Sequence, residues 1–151
     1  MIEHRISHSA VAPALPDRVW EGLQVPEVWT SFPGIDRIVD PVIERGQLVE
    51  FAFRGDAAGR ARKGSLVVVV SRFPHSMTVR IAERDLREEI VVSLAPSGTA
   101  ATDLTATLIV QALRTGAKRT FAHEVAVVER TFLDSVENLA LASATVGTPA
   151  N

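Results

Sequence analysis

Residues 117–144 read AKRTFAHEVAVVERTFLDSVENLALASA. Within them Phe121, Val125, Val128, Phe132, Val136 and Leu139 recur at steps of 4, 3, 4, 4 and 3 residues. At about 100° per residue, such steps keep side chains on one narrow stripe of an α-helix. His123, Arg130, Asp134 and Glu137 fall on the opposite side. A helix over 117–144 is roughly 40 Å long at about 1.5 Å per residue. A single helix of that kind hides its stripe only against another layer, and here that layer must be a sheet.

Upstream the period changes to that of strands. Residues 2–11 alternate weakly and read as a first strand. Residues 12–17 break it, and Asp17 is placed to cap a short helix carrying Val19, Trp20 and Leu23, shortened by Gly22. Pro26 opens a second short helix with Val28, Trp29 and Phe32, and Pro33-Gly34 ends it in a turn. Six strands are then expected over 35–43, 48–54, 62–73, 76–83, 86–95 and 102–111. Pro41 marks an edge or a bulge. Phe51 and Phe53 share one face, with Leu48, Glu50 and Ala52 on the other; Met77 and Val79 pair with Ile81, and Ile90 and Val92 with Leu94. Short turns between consecutive strands give an antiparallel meander. Residues 145–151, with Gly147 and Pro149, read as a flexible tail, which leaves 1–144 as one domain.

Composition narrows the function. A chain of 151 residues with 46 % apolar and 23 % charged residues is a single globular domain and not a disordered one. The absence of cysteine excludes disulfides, thiolate metal sites and a cysteine nucleophile, and the absence of tyrosine excludes a phenol. The formal net charge of −2 lacks the basic excess of a nucleic-acid binder. The longest apolar run, Leu66-Val67-Val68-Val69-Val70, is far short of the roughly 20 residues that cross a bilayer. Met1-Ile2-Glu3-His4-Arg5 lacks the basic-then-apolar order of a signal peptide. The expectation is a soluble cytoplasmic protein with no nucleic-acid partner, no transmembrane segment and no cofactor; a homodimer is left open.

Few polar residues are placed for chemistry. Glu88 shares its phase with Ile90, Val92 and Leu94, so alternation points it inward, where a desolvated carboxyl serves as a general acid or base. The alternative is a surface glutamate at the strand's end, solvated or paired with Arg84 or Arg87. His4 and His8 lie about 13 Å apart along a strand, too far to share a metal. His75 belongs to a turn and His123 faces away from the helix stripe, so no metal site is expected. No GxSxG or phosphate-binding loop occurs. Arg60, Arg62 and Lys63 form a basic run, as do Arg114, Lys118 and Arg119; each reads as a solvated surface or as a cavity mouth that attracts an anionic head group.

The stretch Ala12-Pro13-Ala14-Leu15-Pro16-Asp17-Arg18-Val19-Trp20, followed by Pro26-Glu27-Val28-Trp29-Thr30-Ser31-Phe32-Pro33-Gly34-Ile35, resembles the opening of the START-like, or SRPBCC, superfamily. The Pro96-Ser97-Gly98-Thr99 turn before a Thr-rich strand is similar too, and the resemblance covers nearly the whole chain. Where the family has a tryptophan late in the second short helix, this chain has Ser31-Phe32, with its tryptophan at Trp29. The resemblance implies an α+β helix-grip fold. In it a curved seven-stranded antiparallel sheet wraps a long C-terminal helix, with two short helices after the first strand and a deep cavity between sheet and helix.

Relatives of that kind hold apolar molecules, and some are polyketide cyclases. The cavity candidates from the sheet side are Trp29, Phe32, Phe51, Phe53, Met77, Val79, Ile90 and Val92. Those from the helix are Phe121, Val125, Val128 and Phe132. The leading expectation is binding or transport of a small hydrophobic or amphipathic molecule, lipid-like or polyketide-like. The alternatives are a cyclase or dehydratase using Glu88, and an interaction module with a vestigial cavity.

Overall fold

Residues 2–146 are described by the computed structural model. Strand β1 (Glu3–Ala12) leads into helix α1 (Pro16–Leu23) and a 3₁₀ helix (Pro26–Ser31). Six strands follow: β2 (Arg37–Glu44), β3 (Gln47–Ala57), β4 (Arg60–Arg72), β5 (Ser76–Ala82), β6 (Leu86–Ser97) and β7 (Ala101–Ala112). A 3₁₀ turn (Thr115–Ala117) then opens helix α2 (Lys118–Thr145). The strands form one sheet in the order β1-β7-β6-β5-β4-β3-β2, with every neighbouring pair antiparallel. This is the α+β architecture expected from the sequence: a meander whose last strand takes β1 as its partner, closed over by one long helix.

The apolar faces meet as the periodicities require. Phe51, Phe53, Met77, Val79, Ile81, Ile90 and Val92 are at most 1 % exposed on the inner face of the sheet. Phe132, Val136 and Leu139 of α2 are buried with them, whereas Phe121 and Val125 near the start of α2 are half-buried. Pro41 lies in edge strand β2, where the register with β3 shifts between Val39 and Val42. A second shift between Val42 and Ile43 leaves Val49 unpaired, and this bulge turns Leu48 inward, against simple alternation.

One local expectation fails for a physical reason. Asp17 does not cap α1: Leu15 holds the cap position without a side-chain bond, Pro16 begins the helix, and Asp17 lies in the first turn. Gly22 is the penultimate residue of α1, which ends at Leu23, and it is buried against α2. A Cβ at Gly22 would come within 1.8 Å of the Ser143 carbonyl oxygen, so only glycine lets the two helices approach this closely. The helix also runs past residue 144 to Thr145; residues 147–151 of the expected tail lie outside the described residues.

No helix among the described residues is long and apolar enough to cross a membrane. The contact at Gly22 gives a direct test. Replacing a helical glycine with alanine normally stabilises, by up to about 0.5–1 kcal/mol. Overpacking here costs about 1–3 kcal/mol, so Gly22→Ala is expected to lower the urea midpoint, while a gain in stability would contradict this packing.

Candidate functional site

The inward phase of β4 carries an arginine. Arg60, Arg62, Gly64 and Leu66 share that phase; Leu66 is buried in the core and Arg62 goes in with it, its side chain 3 % exposed. An isolated guanidinium there would be prohibitively costly, so acceptors surround it. Arg62 Nε donates to Glu83, just beyond β5. Nη1 donates to the Pro33 carbonyl (2.8 Å) and lies 3.1 Å from Glu124 Oε2 on α2. Nη2 donates to Glu88 Oε1 on β6 at 3.3 Å. The guanidinium carbon stands 5.7 Å from the centre of the Phe53 ring, a cation–π contact. Arg60 reaches the same group from the rim, with Nη1 at 3.5 Å from Glu83 and Nη2 at 3.5 Å from Glu124.

Glu88 therefore points inward, as alternation predicts, and its partner is Arg62 rather than Arg84 or Arg87. Arg87 instead binds Gln111 across the strand pair. The basic run at 60–63 divides: Lys63 is exposed, as a solvated surface requires, whereas Arg62 is enclosed and spent on carboxylates. In the second run, Arg114 pairs with Asp85 at 2.8 Å. Glu124 escaped the sequence reading, although the signal was present: it stands three residues after Phe121 and four before Val128, on the flank of the helix stripe. Glu83 likewise keeps the phase of Val79 and Ile81.

The cluster holds two guanidiniums and three carboxyls, so with every group ionised it carries one excess negative charge. One proton cancels it. Burial pushes the Glu88 carboxyl well above the ordinary value of 4.5; Arg62 opposes this, while the hydrogen bond to Glu124 and the charges of Glu124 and Glu83 add to it. For Glu124 burial also acts upward, but the bond from Glu88 and the charges of Arg62 and Arg60 outweigh it and leave the carboxyl below its ordinary value. Burial works against the charge on Arg62 too, yet Glu88, Glu124 and Glu83 overcome it. Of the two carboxyls, both held by one guanidinium, Glu88 is the one that keeps a proton more readily and Glu124 the one that ionises more readily.

Beside this pair lies a void between sheet and helix. It is bordered by Phe32 and Pro33, by Leu108 of β7, and by Val127, Val128, Thr131, Phe132 and Ser135 of α2. About 20 Å³ is open to the centre of a water molecule, room for about one water. The deep cavity that the resemblance implies is thus drawn in to a water-sized space. Of the expected lining residues, Phe32, Val128 and Phe132 border it, and so does the acid–base candidate Glu88. Phe51, Phe53, Met77, Val79, Ile90 and Val92 pack in the core instead, and Phe121 and Val125 are half-buried on the helix. Trp29 is fully buried, with its indole donating to the Leu23 carbonyl at 3.1 Å and its ring stacked on Phe32 at 6.0 Å. Glu83 and Arg60 also border a surface groove of about 430 Å³ with Lys63 and Arg84.

The histidines have local roles. His4 pairs with Glu129 at 2.5 Å, His8 packs on the Phe132 ring at 5.9 Å, and His123 bonds the Ala57 carbonyl at 3.0 Å.

Two outcomes test this arrangement. Arg62→Met leaves Glu88 without a guanidinium and Glu83 and Glu124 with Arg60 alone, and is expected to cost about 3–5 kcal/mol in a denaturant titration. Glu88→Gln keeps the shape and the donor of a protonated acid. Glu88, which holds its proton more tightly in the folded chain than in the unfolded one, contributes stability that is lost as pH rises above 4.5 towards its raised value. Glu124 does the reverse, its contribution being lost as pH falls below 4.5. The Tm of Glu88→Gln should therefore gain on that of the unaltered chain as pH rises above 4.5. A constant difference would mean that Glu88 is ionised in the folded protein.

No protein-family model and no curated protein matches the sequence. Solved structures do match. The Zhui aromatase/cyclase of a Streptomyces species superposes with a TM-score of 0.71 at 17 % identity, covering 92 % of both chains. A Thermus thermophilus protein superposes with a TM-score of 0.74 at 14 % identity, over 96 % of this chain and 100 % of that one. Truncated norcoclaurine synthase from Thalictrum flavum gives 0.64 at 13 % identity, over 98 % and 96 %. At such identities the likeness is one of fold.

Proposed function

The chain has the helix-grip fold of the START-like superfamily, and from that premise we propose that it binds a small, largely apolar molecule between β6–β7 and α2, with one polar group of the ligand directed at Glu88 and Glu124. The observation that carries this reading is the void itself. Its walls are apolar except where Arg62, Glu88, Glu124, Thr131 and Ser135 converge, and an apolar space with few converging polar groups is the general form of a ligand site. Affinity comes from burying apolar ligand surface at about 25 cal/mol per Å², less the cost of association.

The void admits one water, so uptake of anything larger parts the Phe32-Pro33 turn from α2. Phe32 is the residue to yield: its ring leans on Phe132 at 6.2 Å and on Trp29, whose fluorescence then reports the event.

A second reading is favoured by one feature of the same site. A protonated Glu88 beside an ionised Glu124 places a proton donor and a proton acceptor in contact, the pairing that acid–base catalysis uses. It supports a cyclase or dehydratase acting on an aromatic or polyketide-like substrate; one structural neighbour is named an aromatase/cyclase. On that reading Glu88→Gln abolishes turnover while binding persists.

Titration of Trp29 fluorescence with 1-octanol tests the binding reading. Phe32→Ala, which widens the void, is expected to tighten binding about tenfold, and Val128→Phe, which fills it, to weaken binding by a similar factor. If neither substitution changes uptake, the ligand does not occupy this space.

A further inference from the structure

The polarity of the void is one-sided. Thr131 and Ser135 face it, yet both hydroxyl protons are committed to the helix backbone, Thr131 Oγ1 to the Val127 carbonyl at 2.8 Å and Ser135 Oγ to the Thr131 carbonyl at 3.0 Å. Only their lone pairs remain to offer. Each nitrogen of Arg62 already has an acceptor: Nε has Glu83, Nη1 has Pro33 and Glu124, and Nη2 has Glu88. Glu88 and Glu124 are joined to each other. The void therefore offers acceptors, namely two carboxyls and two hydroxyl oxygens, to whatever enters it. Against these four acceptors stands one donor, the second N–H of Arg62 Nη2, so a ligand carboxylate or carbonyl is poorly matched there.

The charge count points the same way. Arg60 and Arg62 against Glu83, Glu88 and Glu124 leave one negative charge when all are ionised. A proton neutralises it in the empty site, and a cation of similar size could do so in the filled one. Among the described residues no three acidic or imidazole side chains are grouped so as to hold a metal ion, which leaves an organic cation. An ammonium group has three donors and no acceptor, and it is about the size of the water that the void admits.

Resting on the binding function proposed above, we infer that the ligand's polar end is a protonated primary amine that sits against Glu88 and Glu124 and supplies the one positive charge that the cluster lacks. The balance is simple: one ammonium goes in, one proton leaves to solvent, and the cluster stays neutral. Amine and proton compete, so amine affinity rises with pH. The titratable and charged groups facing Glu88 are Arg60 and Arg62 on β4, Glu83 after β5, and Glu124 on α2, with His123 one residue away and tied to the Ala57 carbonyl. Leu108 on β7 and the Phe32-Pro33 turn add apolar walls only.

Calorimetry with octylammonium, 1-octanol and octanoate, in two buffers of different ionisation enthalpy, tests this directly. Octylammonium is expected to bind about tenfold more tightly than 1-octanol, with octanoate weakest, and to release about one proton per molecule bound. Glu88→Gln, which has no proton to exchange, should lose both the proton release and the preference for the amine while still taking up 1-octanol. If 1-octanol or octanoate binds as well as the amine, or the amine binds without releasing a proton, the inference falls and the pocket stands. If none of the three binds to the unaltered chain or to Phe32→Ala, the pocket reading falls and takes this inference with it.

Discussion

A guanidinium buried in the sheet's inner layer is the constraint to which much of this structure answers. Moving an isolated ion of that size into a low-dielectric interior costs several kcal/mol even after relaxation. Arg62 is tolerable only because Glu83, Glu88, Glu124 and the Pro33 carbonyl reach it. They come from the turn after β5, from β6, from α2 and from the turn before β2. A slip of one residue in β4 or β6 would turn Arg62 or Glu88 to the outer face and leave its partners buried and unpaired. The cluster thus fixes strand register, and it fixes the rotation of α2 as well. The turn over it is fitted to the guanidinium stem: Gly34, at φ +91°, would place a Cβ 2.2 Å from Arg62 Cδ.

Stability alone does not call for such a group. Apolar side chains of similar volume often replace a buried ion network with equal or better stability. The fold has other means of support, with Trp20, Trp29, Phe51 and Phe53 all at most 1 % exposed and the close α1–α2 contact at Gly22. The placement of the charges beside a void, rather than within solid packing, gives the network a use that core packing does not require.

The fold was legible in the sequence because periodicity is a property of whole elements. The stripe from Phe121 to Leu139 and the alternating strands each repeat a signal several times, so one exception does not hide it. The site was legible only in part, for the opposite reason. Glu88 stood out because three apolar residues followed in its phase. Arg62, Glu83 and Glu124 obeyed the same rule, with Leu66, Ile81 and Val128 as their phase-mates, but a charged residue in an inward phase is ordinarily read as an element's frayed or solvated end. Each charge is improbable alone and becomes reasonable only beside the others, and their meeting depends on strand pairing and helix placement that no single segment specifies. The cap at Asp17 and the outward phase of Leu48 failed for local reasons: a proline-led helix start and a bulge.

The parts of the void that set its polarity differ in stiffness from those that set its size. Thr131 and Ser135 are tied to the backbone of α2, and Glu88 and Glu124 are held by Arg62 and by each other, so the acceptor surface moves only if the helix or the cluster does. Size is set instead by the rings of Phe32 and Phe132, which touch at 6.2 Å across the gap, and by a short turn that carries one of them. Rings yield by rotating and turns by small backbone shifts, whereas a buried charge network yields only by losing partners it cannot replace. On the proposed binding function, selection of a ligand's head group falls to the rigid side of the void and accommodation of its body to the pliable side, so a space that admits one water can still be strict about charge.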